Sequence, residues 1–445
     1  MDAAWRFAII VFFIARLSYV LWSWIILTLQ PLAVQNIDLA GEPVLTIFHL
    51  EGSWGHTYLR EVAGQTLTFR AAGKHTVADH KTGSIWEIAT GRSIAGPYMG
   101  SRLSPSQAQS SDLFPYHRAT PYPFALLALW QRFDANWYTS VAENGYGGVV
   151  GDDHFPPLYP LLIRIVKPLF GNAFLAGLLI GHLATLYTIK LLYETFGQWG
   201  ESRLAKRTTL LFLLFPTSFF LFSVYTESVF LVSTLLAFRQ LRRQSWAWAG
   251  FWTFCAILTR LQGAALIVPM VYLMWQDRPF LRRLSHWIGL ALPAFGGLFY
   301  LFLRSRQVAD GAIPFVEPEW HARIVPPWET YGYAIQTMLS GQFTFIDLCN
   351  WAAATLFILL VIAGWRRIPV EHNLYAVFSL LIILIRIVET QPLISMSRYS
   401  LALFPCFFVL GWLAENPLLR RLIVYSFIPL NLFLSAQFFS WGWVA

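Results

Sequence analysis

Charge is scarce in this chain. Asp, Glu, Lys and Arg make up 13% of its 445 residues, where a soluble globular protein carries about a quarter. That leaves too little polar surface for a chain free in water. Cysteine is also rare. Cys255, Cys349 and Cys406 fall in or beside apolar runs far apart in sequence, which excludes a disulfide framework and a zinc knuckle. No Asn-x-Ser/Thr acceptor sequence occurs, and no internal repeat of the kind that builds many transporters is visible.

What is present is apolar. Hydrophobic residues make up 56% of the chain and aromatic residues 17%, and the mean hydropathy is +0.51. Apolar runs of about 20 residues recur, the length that crosses about 30 Å of hydrocarbon as a helix; barrel strands would need only about 10 alternating residues. The chain reads as an all-α polytopic membrane protein.

The net charge of +8 follows the membrane rather than a nucleic acid. Cations cluster in alternate loops: Arg203, Lys206 and Arg207; Arg239, Arg242 and Arg243; Arg278, Arg282 and Arg283; Arg366 and Arg367; Arg420 and Arg421. This is the positive-inside pattern that fixes orientation, with some attraction to anionic lipid heads.

The first span, residues 5–29, lacks a small-residue cleavage site and is too long for a signal-peptide core. Arg6 holds its start inside. Further spans are expected at about 173–196, 208–223, 225–241, 246–262, 264–276, 286–303, 344–364, 373–390, 398–414 and 421–440, eleven in all. Four parts follow: residues 1–31, the first span; 32–123, an extracytoplasmic insert, β-rich over about 40–100; 124–172, a juxtamembrane active-site loop; and 173–445, ten transmembrane helices. Residues 101–120, rich in Ser, Pro and Gln, read as an irregular connection. The loop 304–342 lies outside and contains Trp320, His321, Arg323, Trp328 and Tyr331.

The chain is organised around residues 132–164. Residues 124–143 read as one interfacial amphipathic helix, with Trp130, Phe133, Trp137 and Val141 on its apolar stripe and Asp134 at the stripe's edge. A turn with Gly145, Gly147, Gly148 and Gly151 follows, then Asp152, Asp153 and His154, and then a short apolar piece, 158–168. Ionisable groups at the mouth of a membrane domain mark function by default.

Other polar groups collect at the same outward ends. They include Glu227 at a tight turn, Arg260 near the end of its span, Arg398 opening another, and Arg386 with Glu389, three apart and able to pair on one helix face. Several of the acids have a plainer reading. Asp134 suits a helix edge, Asp152 and Asp153 a solvated turn, Glu227 a helix N-terminus where a carboxylate is favoured. Arg16, His182 and Lys190, inside spans, read as satisfied or snorkelling groups.

The side of the membrane selects a chemistry. Outside the cytoplasm no nucleotide sugar is available, so an activated lipid carrier is the natural donor. Transfer from a lipid phosphate needs a carboxylate to take the acceptor's proton and cations to stabilise the departing phosphate. Asp134 suits the first role; Arg260, Arg398 and His154 suit the second. No metal or other cofactor is required, although Asp152-Asp153-His154 leaves a divalent metal open.

Several motifs in order carry a resemblance. Residues 133–138 (FDANWY), 142–146 (AENGY), 155–164 (FPPLYPLLIR), 215–228 (FPTSFFLFSVYTES) and 259–263 (TRLQG), then Arg398-Tyr399, 403–405 (LFP) and the closing WVA, are similar to the PIG-V (GPI mannosyltransferase 2) family. The wording is closer to its bacterial members. The resemblance covers about 120–445. It implies a polytopic glycosyltransferase of the C superfamily that uses a polyprenyl-phosphate sugar, usually mannose, and inverts the anomeric centre.

On this resemblance Asp134 is the catalytic acidic residue of the first outer loop, and Glu227, Arg260, Arg398 and Tyr399 join Asp152, Asp153 and His154 as substrate-binding residues. The partners are a polyprenyl-phosphate sugar, a glycolipid, glycan or protein acceptor, and membrane lipid, without nucleic acid. The expected place is a bacterial plasma membrane, or the endoplasmic reticulum membrane in a eukaryote. The insert at about 40–100 departs from the family and leaves the acceptor open. The competing readings are a lipid or solute transporter and a non-catalytic partner of another glycosyltransferase.

Overall fold

The computed structural model describes residues 2–29, 32–39, 42–49, 54–106, 124–147, 151–277, 283–305, 322–341, 343–388 and 391–444. Gly148, Arg278, Arg282, Trp320, His321, Glu389, most of the connection 101–120 and the side chain of Asp153 lie outside them. The chain divides into two compact units.

One unit comprises Leu17–Ser140 and Ser435–Trp443. After the first helix, the strands Leu32–Leu39, Glu42–His49 and Trp54–Leu59 form an antiparallel meander with Val34 opposite Ile47 and Leu45 opposite Tyr58. A second meander joins Phe69–Gly73, Thr76–Asp79, Ile85–Glu87 and Ser93–Ala95. Leu45, Ile47, Leu67, Phe69, Val77 and Trp86 close over one core, with Trp86 fully buried. Burying an aromatic ring of this size is among the larger favourable contributions available to so small a set of strands.

Residues 124–143 are not one helix. A turn of helix, Ala125–Ala128, is followed by irregular backbone, and a new helix, Asp134–Asn144, begins at Asp134. Phe133 sits between them at φ +49°, a left-handed conformation costly for a bulky residue. Burial offsets that cost. Trp130 lies 4.9 Å from Phe439, and Phe133 packs 5.8 Å from Phe438 and 5.2 Å from Trp443. The apolar stripe is therefore covered by protein rather than laid on lipid.

The other unit comprises Met1–Arg16, Val141–Leu434 and Val444–Ala445. By length and composition, five helices among the described residues are able to cross a membrane: Ala3–Leu29, Ala173–Trp199, Leu284–Ser305, Phe345–Gly364 and Pro417–Phe439. A sixth results if Met396–Ala402 and Phe404–Leu413, bent by 90°, are one broken span.

The other stretches expected to cross are shorter or interrupted. Stretch 208–223 is the helix Ser202–Leu214 stopped before Pro216, then a 3-10 segment Ser218–Phe222. Stretches 246–262 and 264–276 are the shorter helices Trp246–Ile257 and Ile267–Gln276, with a 3-10 turn Leu261–Leu266 between them. Stretch 373–390 ends as a helix at Leu384 and continues as the strand Arg386–Val388, paired with Ala322–Ile324. Arg386 is thus on a strand, not on a helix face shared with residue 389. Small residues bring neighbouring helices close: a Cβ on Gly250 would fall on the backbone of Gly289, and a Cβ on Gly411 on the side chain of Thr208.

Candidate active site

Three interruptions within the second unit converge. The first is the turn before the helix Glu227–Arg242. Phe215 is forced extended by the proline that follows it (φ −55°, ψ 140°), and the released carbonyl accepts from Asn431 Nδ2 at 2.9 Å. Thr217 Oγ1 donates to the Ser397 carbonyl at 2.9 Å, tying this turn to the segment that carries Arg398. The turn sits tightly on the helix Ala173–Trp199: a Cβ on Gly181 would lie 3.1 Å from the Ser223 carbonyl oxygen, and one on Gly177 would strike Val224.

The second is the break between the helices Trp246–Ile257 and Ile267–Gln276. Arg260 is extended (φ −160°, ψ 141°) and leads into the 3-10 turn. Gly263 folds back so closely that a Cβ would collide with the Ile257 nitrogen, so only glycine fits. The carbonyl of Leu258 accepts from the Leu158 N–H at 3.0 Å, which anchors the start of the short helix Leu158–Val166.

The third is the bent pair. Ser395 takes a left-handed conformation (φ 63°) and opens the helical turn Met396–Tyr399. Asn350 Oδ1 accepts from the Ser397 N–H at 3.0 Å. Tyr375 Oη donates to the Ala402 carbonyl at 3.0 Å.

These breaks bring Glu227, Arg260 and Arg398 together. Arg260 Nη1 lies 2.7 Å from Glu227 Oε1, and Arg398 Nε lies 3.5 Å from the same oxygen. Glu227 is 2% exposed, Arg260 8% and Arg398 6%. The Tyr399 ring lies against both guanidinium groups, 4.6 Å from Arg260 and 5.1 Å from Arg398, and Arg398 also faces Tyr225 at 5.3 Å and Phe220 at 5.5 Å. One carboxylate and three aromatic faces hold two buried cations side by side. Glu227 is also the first residue of its helix, where the unpaired N–H groups favour a negative charge. Two arginines against one glutamate leave a net charge of +1. Their planar donor arrays suit a phosphate.

The sequence singled out Glu227, Arg260, Arg398 and Tyr399, and these four meet. Phe220, Tyr225 and Gln262 were missed as individuals, although each lies inside a quoted motif. The signal was their place beside an interruption of the helix.

The remaining predicted residues stand on other elements. Asp134 is the first residue of the helix Asp134–Asn144, half-buried. Asp152 is buried (4% exposed), and its Oδ2 accepts from the Gly147 N–H at 2.8 Å, closing the glycine turn. His154 Nδ1 lies 2.9 Å from the Gly151 carbonyl oxygen, and Tyr146 Oη donates to the Phe155 carbonyl at 2.7 Å. The glycine turn is thus closed by its own side chains, with Gly145, Gly147 and Gly151 at positive φ. Among the described residues, no group of three His, Cys, Asp or Glu is arranged to hold a metal ion.

Helices of this length and apolarity support a multi-pass membrane protein. Residues 154–298 match the family model of dolichyl-phosphate-mannose-protein mannosyltransferases. That match supports a glycosyltransferase of the C superfamily that works from a polyprenyl-phosphate-linked mannose, and it covers the segment carrying Glu227 and Arg260. Comparison with curated proteins and with solved structures returns no match.

Proposed function

We propose that this protein moves mannose, or a similar hexose, from a polyprenyl-phosphate carrier to an acceptor hydroxyl on the extracytoplasmic face, with inversion, as a bacterial-type member of the PIG-V family. One observation carries the reading: two buried arginines share a single glutamate oxygen at the meeting of three helix interruptions. Such a site suits an anion whose charge grows during reaction. The donor is a phosphodiester with one negative charge. As the acceptor oxygen bonds to the anomeric carbon, the bond from that carbon to the phosphate oxygen breaks. The lipid leaves as a monophosphate carrying one more charge, which Arg260 and Arg398 stabilise.

Asp134 takes the acceptor's proton in this reading, a role that rests on its place in the first outer loop and in the family motif. Asp152, Asp153 and His154 hold substrate, as charged groups clustered in the same loop. No nucleotide is consumed and no metal is needed, since one phosphate is within the capacity of two arginines. The acceptor is a glycolipid, a glycan or a protein, and the membrane is the bacterial plasma membrane. The same reading takes the strand-rich stretch after the first helix as an insert outside the membrane. It also counts eleven crossings, with helices such as Glu227–Arg242, about 24 Å long, extended by the apolar turns beside them.

The test uses purified protein in liposomes with radiolabelled polyprenyl-phosphate mannose. Loss of label from the lipid with wild type, but not with Arg398→Ala, is the expected result. Donor that is neither bound nor consumed by wild type overturns the reading.

A further inference from the structure

Glu227 has two carboxylate oxygens and the arginines use one. Oε1 takes Arg260 and faces Arg398, while Oε2 is buried and has no hydrogen-bond partner among the described residues. A buried carboxylate oxygen without a partner loses its hydration with nothing in return, which costs more than for a neutral group. Gln262 repeats the pattern with the opposite valence. It stands on the 3-10 turn that follows Arg260, is 6% exposed, and its Nε2 has no hydrogen-bond partner among the described residues. An acceptor and a donor, both buried and both unused by the protein, are what a sugar hydroxyl offers and needs.

We propose that Glu227 accepts a hydrogen bond through Oε2 from a hydroxyl of the transferred hexose, and so helps to set which sugar is used, while Oε1 holds the arginines on the phosphate. Gln262 supplies the donor for hydroxyl recognition from the adjoining turn. The inference rests on the reading of the site as one for a lipid-phosphate hexose. One residue then couples two parts of the donor: a sugar bound wrongly at Oε2 disturbs the carboxylate that positions Arg260. Glu227 touches substrate and forms no covalent bond to it.

The experiment is a set of polyprenyl-phosphate mannose donors, each lacking one hydroxyl, offered to wild type, Glu227→Gln, Glu227→Ala and Gln262→Ala in liposomes. With wild type, one of these donors should lose roughly 10- to 100-fold in kcat/KM. In Glu227→Ala that penalty should shrink to about twofold, although all donors are then slower because the arginines have lost their partner. Glu227→Gln keeps the shape and should show an intermediate penalty.

The same series is read as equilibrium binding of donors whose bridging oxygen is replaced by carbon, so a variant too slow to turn over still reports the coupling. If every donor falls by the same factor and the wild-type penalty persists in full in both Glu227 variants, the carboxylate serves only the arginines and the inference is wrong. If wild type neither binds nor uses any donor of the series, the lipid-phosphate reading itself fails.

Discussion

Arg260 Nη1 and Glu227 Oε1 stand 2.7 Å apart, with the two side chains 9% and 1% exposed, although 33 residues separate them in sequence. Arg398 reaches the same oxygen at 3.5 Å. The two arginines are therefore not equivalent, and their variants should differ.

Arg260→Ala strips Glu227 of its close partner and leaves a buried, poorly compensated carboxylate. We expect a stability loss of about 3–5 kcal/mol, together with loss of activity. Arg398→Ala leaves the closer pair in place, so its activity should fall about 100- to 1,000-fold with a much smaller drop in thermal midpoint. Thermal unfolding in detergent, set beside turnover in liposomes, separates the two.

Asp134→Asn keeps size and hydrogen-bonding capacity at the start of its helix while removing the base. Turnover should drop about 100- to 10,000-fold with the thermal midpoint unchanged within error. A folded Asp134→Asn protein with normal turnover would end the assignment of Asp134 as base.

Gly263→Ala tests the turn that presents Arg260. The added methyl meets the backbone nitrogen of Ile257 and not a flexible side chain. The turn must open, at a cost of about 1–3 kcal/mol, and activity should fall although no charged group has changed. Gly297→Ala, where an added Cβ meets nothing within 4 Å, is the control and should behave as wild type.

Asp79 predicts how the strand-rich unit responds to acid. Burial by itself pushes this carboxyl up, but the N–H and hydroxyl of Thr82, the indole of Trp86 and the Ser84 backbone outweigh it and hold the carboxyl below its ordinary value. Thr82 N–H donates at 2.6 Å and Trp86 Nε1 at 3.3 Å. A carboxyl depressed in the folded state contributes stability above its unfolded value, and that contribution is lost as pH falls through the folded one. Protection of the strand Thr76–Asp79 against hydrogen exchange, taken relative to the intrinsic rate at each pH, should therefore fall on acidification below about pH 4. In Asp79→Asn that protection should already be lower at neutral pH and should change little over that range. Equal acid sensitivity in both proteins would count against it.

How far the sequence could be read depended on the range of the forces involved. Composition and the length of apolar runs settle a membrane protein, because hydrocarbon sets a length requirement that each run meets or fails by itself. Helix content is legible for the same reason. Single helices were less so. Residues 124–143 have the period of one amphipathic helix, yet the chain breaks at Phe133, because packing against Phe438 and Trp443 stabilises a left-handed residue that local preference disfavours. Arg386 reads as helical until a strand partner some sixty residues upstream is available.

The motifs around Glu227, Arg260 and Arg398 are visible as residue types in order, and their resemblance to a known family suggests a chemistry. Sequence determined that acids and arginines lie at helix ends, and the family match over residues 154–298 supports a lipid-phosphate donor. Only tertiary structure decided that the two arginines share one oxygen of Glu227 and leave the other unused. Periodicity reports which face of a helix a residue occupies. It carries no information on which of three interrupted helices will meet, and that is settled by close packing at Gly177, Gly181 and Gly263 and by the backbone groups that each interruption releases.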